Sequence, residues 1–425
     1  MSMSVEKLTL EEWLLYNGFV DNPFKGEARR AENDDRLYDC FEKFPYYDEV
    51  KGSPHSRGSC FIFTARGGGK SALCRQIQSE LDETLGEEYN RILVILYNDF
   101  ELIQRQFENN LRENDVPATK IFSMHIEEII KLIIIKLFEI GVQRSPKINL
   151  GSLKRSSKHL LRWYIDNFSK CLQPWELDKF LGQVEGLSHF INVEDILKGA
   201  KGIAAMTAKG LPEAARPVVE TLLEIVNWKP PEVDKSNVPS SDLLKDLVDI
   251  CQELNINSIY ILVDNVDQER LAGKNSDFRP ALNLIRPLGT ASDILCINGL
   301  VFKFFLPLEI ADQAKDYFRF DILPRRDIAW GKEDIKRILQ KRLCVFSKNQ
   351  YESLAPLCEK GLDAQIDDLI VKSSDTPRDL IELGYEIFQQ HFKDSPTSEP
   401  LLTWGDWQAA WKKVSRYRQN QSWRA

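Results

Sequence analysis

A glycine-rich turn between an apolar run and a helical pattern carries the clearest chemical signal in the sequence. Residues 64–71 read T-A-R-G-G-G-K-S and match G-x-x-x-x-G-K-[ST] except at the first position, where Thr64 replaces glycine. Consecutive glycines let backbone N–H groups turn towards one point, and the following helix directs the positive end of its dipole there. The pattern predicts a phosphate-binding loop, and a plain glycine-rich turn between a strand and a helix is the alternative.

The side chains after the glycines have defined roles in such a loop. Lys70 would bridge the β- and γ-phosphates of a nucleotide, and the Ser71 hydroxyl would ligate magnesium. We therefore predict a nucleotide and Mg²⁺ as the cofactors. The predicted cofactor-binding residues are Ala65, Arg66, Gly67, Gly68, Gly69, Lys70, Ser71 and Ala72.

A second signal stands at the end of a later apolar run. Residues 259–267 read I-Y-I-L-V-D-N-V-D, a strand pattern that ends in a carboxylate at Asp264. In a doubly wound sheet the carboxyl ends of the strands converge on the ligand crevice, where a carboxylate can hold magnesium directly or through water. We predict that Asp264 and Ser71 hold the metal. A strand-terminating turn residue is the alternative for Asp264.

Short apolar runs that alternate with helical patterns would position these residues. They predict a doubly wound, mostly parallel sheet with helices on both faces. The predicted strands are Cys60–Thr64, Arg91–Phe100, Ser258–Val263, Asp293–Asn298 and Tyr317–Leu323. The main predicted helices are Arg29–Phe44, Lys70–Leu85, Ile126–Ile140, Lys332–Phe346, Tyr351–Lys360, Ala364–Lys372, Arg378–Phe392 and Asp406–Val414.

The interval between the second and third strands is far longer than one crossover connection needs. It spans roughly 150 residues, reads as helix throughout and predicts a helical insertion. Its most apolar helix, Ile126–Ile140, is too short and too charged to cross a bilayer, which needs about 20 apolar residues. The predicted units are a lead-in (1–58), a sheet core (59–125 and 242–330), the insertion (126–241) and a carboxyl-terminal helical, lid-like or winged-helix-like domain (331–425).

Composition limits the compartment and the partners. Scattered cysteines without zinc spacing, and no apolar leader in residues 1–10, predict a cytoplasmic protein without a membrane partner. The net charge is −8, so nucleic acid could bind only a local patch. The basic end after Asp406 is the one candidate patch, and a solvated end is its alternative. Trp404, Trp407 and Trp411 lie on one helical face there, which packing onto the lid explains.

These motifs resemble the P-loop ATPases of the AAA+ and STAND superfamily, especially bacterial origin-recognition-like and KAP ATPases. The resemblance extends loosely from Asn22 to Phe392. It rests on N-P-F at residues 22–24, the glycine loop, I-L-V-D-N-V-D at 261–267, a polar Asn298 that ends the next predicted strand, and D-T-P-R-D-L at 375–380. It implies ATP as the nucleotide, Asn298 as a sensor of the γ-phosphate or attacking water, and Arg378 as a sensor on the bound phosphates. A strand-end Asn and a surface Arg are the alternatives.

One departure from these families concerns hydrolysis. Asn265 stands where they usually have an acidic residue, and an amide cannot accept a proton as a general base. Asp267 or Glu269 would have to orient the water, so we expect slow, Mg²⁺-dependent ATP hydrolysis. Arg325 and Arg326 are candidates for arginine fingers, with solvated surface arginines as the alternative.

The resulting functional expectation is a slow nucleotide-dependent switch that controls self-assembly or a separate effector protein. The resemblance makes bacterial antiphage defence a reasonable context for it. Two alternatives stay open: an origin-recognition-like or transposition-regulator-like DNA-binding ATPase, and a degenerate scaffold that binds nucleotide without hydrolysis.

Overall fold

Five strands form one fully parallel sheet in the computed structural model, with the order β2-β3-β4-β1-β5. The strands are β1 (Cys60–Thr64), β2 (Arg91–Tyr97), β3 (Ile256–Val263), β4 (Leu300–Pro307) and β5 (Arg325–Ile328). The structure describes residues 8–25, 31–53, 58–86, 91–107, 117–141, 148–169, 216–228, 238–266, 278–393 and 401–422.

The helices surround this sheet and form a separate bundle after it. In chain order they are α1 (Leu10–Tyr16), α2 (Leu37–Cys40), α3 (Tyr47–Lys51), α4 (Lys70–Glu83), α5 (Glu101–Phe107), α6 (Ala118–Gly141), α7 (Arg155–Tyr164), α8 (Arg216–Asn227), α9 (Ser240–Glu253), α10 (Arg279–Gly289), α11 (Ser292–Leu295), α12 (Ala311–Ala314), α13 (Lys332–Phe346), α14 (Ile366–Lys372), α15 (Pro377–His391) and α16 (Trp404–Ser422). Among the described helices none is both long and apolar enough to cross a membrane.

The parallel sheet and its first three strands confirm the sequence prediction, whereas the last two predicted strands are wrong. Asp293–Asn298 contains α11 and a turn, because a short apolar run cannot distinguish strand from helix by its period. The real β4 begins at Leu300, and its apolar run is interrupted by Lys303. Tyr317–Leu323 forms turns, and the edge strand β5 reads R-R-D-I, a polar pattern that a sheet edge tolerates.

Most predicted helices are present, with two exceptions. The helix predicted at Lys332–Phe346 is confirmed at both ends as α13. The helix predicted at Tyr351–Lys360 is wrong, because only a short 3₁₀ turn at Ala355–Leu357 forms there. In the described part of Arg29–Phe44 the chain makes only a 3₁₀ turn and the four-residue α2.

Side chains alternate along the strands and pack two cores on opposite faces of the sheet. One face carries Ile62, Leu262 and Phe305 against α4 and residues 41–50, which we call the α4-side core. The other carries Phe61, Ile261 and similar residues against α6, α9 and α10, which we call the α6-side core.

Helix α6 crosses the boundary at residue 126 that the sequence suggested for an insertion. It packs directly on the sheet through buried isoleucines such as Ile130 and Ile133, so it is a layer of the sheet core. Residues 170–215 of the predicted insertion lie outside the described residues.

Helices α13 to α16 pack around a third core, the helical-domain core, which also receives the first part of the lead-in. Trp13 is buried there, and the Phe24 ring lies against Gly384, where a Cβ atom would come within 2.5 Å of it. A buried ion pair of 2.7 Å joins Arg342 of α13 to Asp34. The first part of the lead-in therefore packs on the helical domain, and its later part, from residue 41, packs on the α4-side core.

The cysteines behave as small core residues. Of the seven in the described residues none forms a disulfide bond, and five are buried. Burial raises the pKa of Cys358 to about 12, which keeps this thiol protonated at neutral pH.

Candidate functional site

The glycine-rich loop joins the carboxyl end of β1 to the amino end of α4. Gly67 and Gly69 have φ values of +84° and +87°, a left-handed conformation that favours glycine. Gly69 is the N-cap of α4, which begins at Lys70. Glycine has no side chain, so the N-cap residue itself makes no side-chain hydrogen bond to the first turn of the helix.

Gly68 is required for a different reason, which also explains Thr64. A Cβ atom on Gly68 would lie 2.1 Å from the Thr64 Oγ1 atom and 2.9 Å from the Ala65 carbonyl oxygen. Thr64 is buried, and its hydroxyl lies 3.5 Å from the Gly68 carbonyl oxygen. The missing first glycine of the motif is accommodated because Gly68 leaves space for the threonine side chain.

The outer side of the loop is held by the helical domain. The backbone N–H of Arg378, in the first turn of α15, donates to the Gly67 carbonyl over 3.3 Å. The indole Nε1 of Trp330 donates to the Gly68 carbonyl over 2.8 Å. Thr376 caps α15, and its Oγ1 would be 3.1 Å from a Cβ on Gly67. The loop thus lies at the junction of the sheet and the helical domain.

Asp264 lies on the same edge of the sheet, directly after β3. It is only 3% exposed, and Asn265 then turns the chain with φ +62°. The register pairs Val263 with Phe304 and Phe305 with Ile62, so Asp264 is level with Ile62, two residues before the end of β1, and is separated from β1 by β4. Two strand spacings correspond to roughly 10 Å.

The chain leaves neighbouring strands on opposite faces at this edge. After β1 it enters α4 and the α4-side core, and after β4 it enters the α6-side core at Ile310 and Ala311. Such a divergence between adjacent parallel strands opens a crevice at their carboxyl ends, where open α/β sheets bind ligands. The glycine loop follows β1 and Asp264 follows β3, so both lie at this edge of the sheet.

The structure brings some of the predicted site residues together and separates others. Residues 65–72, Asp264 and Arg378 share the carboxyl edge of the sheet. Asn298 does not belong to this group, because it is exposed in the turn before β4, at the opposite edge. Its predicted sensor position depended on the wrong strand at 293–298. Asp267 and Glu269 lie outside the described residues.

Arg325 and Arg326 lie within β5 rather than after it. Arg325 makes two hydrogen bonds of 2.6 Å to Asp327, and this partner raises the pKa of the guanidinium. Arg326 pairs with Glu49 at 3.4 Å. Both side chains are thus engaged within their own chain.

The outer surface of α16 combines an aromatic side chain with positive charge. Trp407 and Trp411 stack with centroids 6.2 Å apart, and Trp411 is 36% exposed. Lys412 and Arg416 are exposed one and five residues further along the same helix. The only acid at its start, Asp406, accepts hydrogen bonds from Thr403 and contacts His391.

Trp330 is the site residue that the sequence did not reveal. It stands in an unremarkable segment between β5 and α13, 262 residues from its partner Gly68. The capping box T-P-R-D at 376–379, by contrast, marks the start of α15 in the sequence and could have placed Thr376 at a helix end.

Comparisons with protein-family models, with curated proteins and with solved structures found no match. Within the described residues no group of three or more His, Cys, Asp or Glu side chains is placed to hold a metal ion. The glycine loop and the residues that contact it are therefore the basis for the function proposed below.

Proposed function

We propose that this protein binds ATP with Mg²⁺ at the glycine loop, between the sheet and the helical domain, and acts as a slow nucleotide-dependent switch. The observation that carries the proposal is the loop itself. Two left-handed glycines stand between a buried strand and a helix whose N-cap residue is glycine, at the edge of the sheet where Asp264 also lies. This is the geometry that oriented backbone amides need to hold an anion.

The shape of the loop fits a phosphate chain. Among the described residues, a Cβ atom on Gly69 would meet nothing closer than the Ala72 Cβ at 4.0 Å, so this part of the chain leaves the space beside Gly69 open. The 14-residue helix α4 begins there and would place Lys70 beside the phosphates. Ser71 and Asp264 are the residues that would hold Mg²⁺, together with phosphate oxygens and water.

Asn265 supports slow turnover. Bound Mg²⁺-ATP would supply a transferable phosphoryl group, and the chain would have to orient and deprotonate a water molecule. The amide of Asn265, which directly follows Asp264, cannot take that proton. A long-lived bound state suits a switch better than a motor.

The helical domain would carry the output of the switch. Arg378 of this domain and Trp330 of the segment leading into it already contact the loop, so a phosphate bound there would act on both parts of the protein. Self-association or a separate effector protein would respond to this state. We extend the proposal to bacterial antiphage defence on the basis of the resemblance to STAND ATPases.

Thermal unfolding with and without Mg²⁺-ATP tests the proposal. Saturating ligand at 100 times its Kd should stabilise the wild-type protein by about 2.7 kcal/mol and raise its Tm. Lys70→Ala should lose this shift, whereas the exposed surface variant Lys360→Ala should keep it. An equal shift in Lys70→Ala and wild type, or no shift in either, would overturn the proposal.

A second candidate function is contact with single-stranded nucleic acid through α16. Trp411 offers an exposed aromatic surface, and Lys412 and Arg416 are exposed on the same helix. Proteins hold single strands by stacking bases on aromatic side chains and by positively charged contacts to the phosphates. A fluorescent oligonucleotide should bind the wild type with strong salt dependence and bind Trp411→Ala more weakly. Absence of binding at low salt would dismiss this candidate.

A further inference from the structure

Trp330 connects three parts of the molecule. It lies between β5 and α13, in the segment that joins the sheet to the helical domain. Its partly buried side chain packs against both the helical-domain core and the α4-side core, with the Phe44 ring centroid 6.4 Å away. Its Nε1 atom donates to the Gly68 carbonyl over 2.8 Å.

This hydrogen bond is the shorter of two that the Gly68 carbonyl accepts, since the other comes from the Thr64 hydroxyl over 3.5 Å. Gly68 and Gly69 carry no side chains, so the peptide plane between them is free to rotate unless a hydrogen bond fixes it. In a planar trans peptide the C=O and N–H groups point in opposite directions. With its carbonyl on Trp330, this peptide directs the Gly69 N–H away from the indole.

The preceding peptide is fixed from the same side. The Gly67 carbonyl accepts from the Arg378 N–H of α15, and the Gly68 N–H donates to the Ala65 carbonyl over 2.8 Å. Two consecutive carbonyls of the loop are therefore bonded to groups of the helical domain or of the segment leading into it.

We propose that Trp330 is a positioning residue that orients the Gly68–Gly69 peptide, so that the Gly69 amide faces the bound phosphate only while the helical domain is seated on the loop. This inference rests on the proposed function and adds its regulation. Displacement of the helical domain removes the Trp330 and Arg378 contacts together and weakens nucleotide binding. Nucleotide binding, by reciprocity, favours the seated arrangement.

Trp330→Phe tests this inference, because phenylalanine keeps an aromatic ring between the two cores and removes the N–H donor. Trp404→Phe is the matched control, since Trp404 is also partly buried against the helical-domain core but stands at the start of α16. Calorimetric titration with Mg²⁺-ATP should give an affinity about 3- to 10-fold weaker in Trp330→Phe, the range expected for one lost hydrogen bond. Trp404→Phe should match the wild type.

Two further measurements separate positioning from a general loss of stability. The tryptophan fluorescence change on adding Mg²⁺-ATP should disappear in Trp330→Phe and persist in Trp404→Phe. Without nucleotide, amide hydrogen exchange in a peptide covering residues 65–73 should be faster in Trp330→Phe than in the wild type or the control.

The outcomes distinguish this inference from the proposed function. If the wild type binds ATP and Trp330→Phe binds it equally well, the positioning role is wrong and the proposed function stands. If the wild type does not bind ATP, the proposed function fails together with the coupling to nucleotide. In that case unchanged exchange at residues 65–73 in Trp330→Phe would also remove the structural part of the inference.

Discussion

Left-handed glycines lie at both the carboxyl and the amino ends of the strands of the parallel sheet, but in different surroundings. At the carboxyl edge Gly69 has φ +87°, and at the amino edge Gly299, just before β4, has φ +85°. A Cβ on Gly299 would lie 2.9 Å from the Val248 Cγ1 atom, whereas a Cβ on Gly69 would meet no atom of the described residues closer than the Ala72 Cβ at 4.0 Å. The left-handed glycine is packed at one edge and open at the other.

Polar groups at the amino edge are also satisfied by the chain itself. The Lys303 ammonium donates to the Gly58 carbonyl over 2.8 Å, and the Tyr260 hydroxyl donates to the Ser53 carbonyl over 2.8 Å. These bonds hold the segment before β1 against the sheet. A positive φ therefore indicates a ligand site only where the space beside the residue is open and a helix begins at that glycine.

Lys303→Ala should give the largest loss of stability, because it removes a fully buried side chain and a partner of the Gly58 carbonyl. We expect about 3–5 kcal/mol less free energy of unfolding, measured by urea denaturation. Lys303→Met, which preserves most of the volume, should lose less than about 2 kcal/mol. Unchanged ATP binding in the Met variant would confirm that the amino edge is structural. Lost binding would show that this edge also contributes to the nucleotide site.

The same lysine predicts a pH dependence. Burial lowers the pKa of Lys303 from 10.5, so the unfolded chain binds more protons than the folded protein between the two values. The free energy of unfolding should therefore gain from this group as the pH rises towards 10.5. Denaturation series at alkaline pH should show this contribution in the wild type and not in Lys303→Met.

His125 of α6 is buried beside Tyr97, the last residue of β2, and both of its ring nitrogens form hydrogen bonds within the chain. Its Nδ1 accepts from the Tyr97 hydroxyl over 2.5 Å, and its Nε2 donates to the Leu284 carbonyl over 2.8 Å. Burial lowers the pKa of His125 from 6.5 to about 4, so the unfolded chain takes up the proton first as the pH falls.

The stability that His125 contributes is therefore present above pH 6.5 and is lost as the pH falls towards 4. The expected loss is about 3 kcal/mol, measured as the free energy of unfolding across that window. His125→Phe should remove this part of the pH dependence. An identical acid profile in the variant would show that the histidine titrates normally.

Parallel alanine substitutions of Gly69 and Gly299 test directly whether the two glycines have different roles. Gly299→Ala should lower the free energy of unfolding by about 2–3 kcal/mol, because the left-handed backbone and the contact with Val248 both oppose a Cβ. Gly69→Ala should lose only about 1–2 kcal/mol but should weaken Mg²⁺-ATP binding at least about tenfold. Equal ATP affinity in the two variants would mean that the open space beside Gly69 holds no phosphate.

Thr64→Gly should have the smallest effect on binding. It completes the glycine pattern, but the loop already turns as required because Gly68 makes room for the threonine. We expect a change in ATP affinity below about twofold and a loss of about 1 kcal/mol in stability from the flexible glycine. A large gain in affinity would show that Thr64 distorts the loop.

The sequence predicted the strand before the glycine loop better than the last two strands of the sheet. Cys60–Thr64 is apolar throughout and directly precedes the glycines, so its strand could be placed to the residue. Strand β4 was missed because Lys303 interrupts its apolar run, and β5 because its edge position permits arginines. The contact between Trp330 and Gly68 depends on the tertiary fold and has no local signal.

Isothermal titration of Mg²⁺-ATP into the wild type and into Lys70→Ala is the decisive test of nucleotide binding at the glycine loop. We expect one ATP bound per chain in the wild type and loss of that binding in Lys70→Ala, with the variant still folded. No binding to the wild type, or equal binding to both proteins, would contradict it.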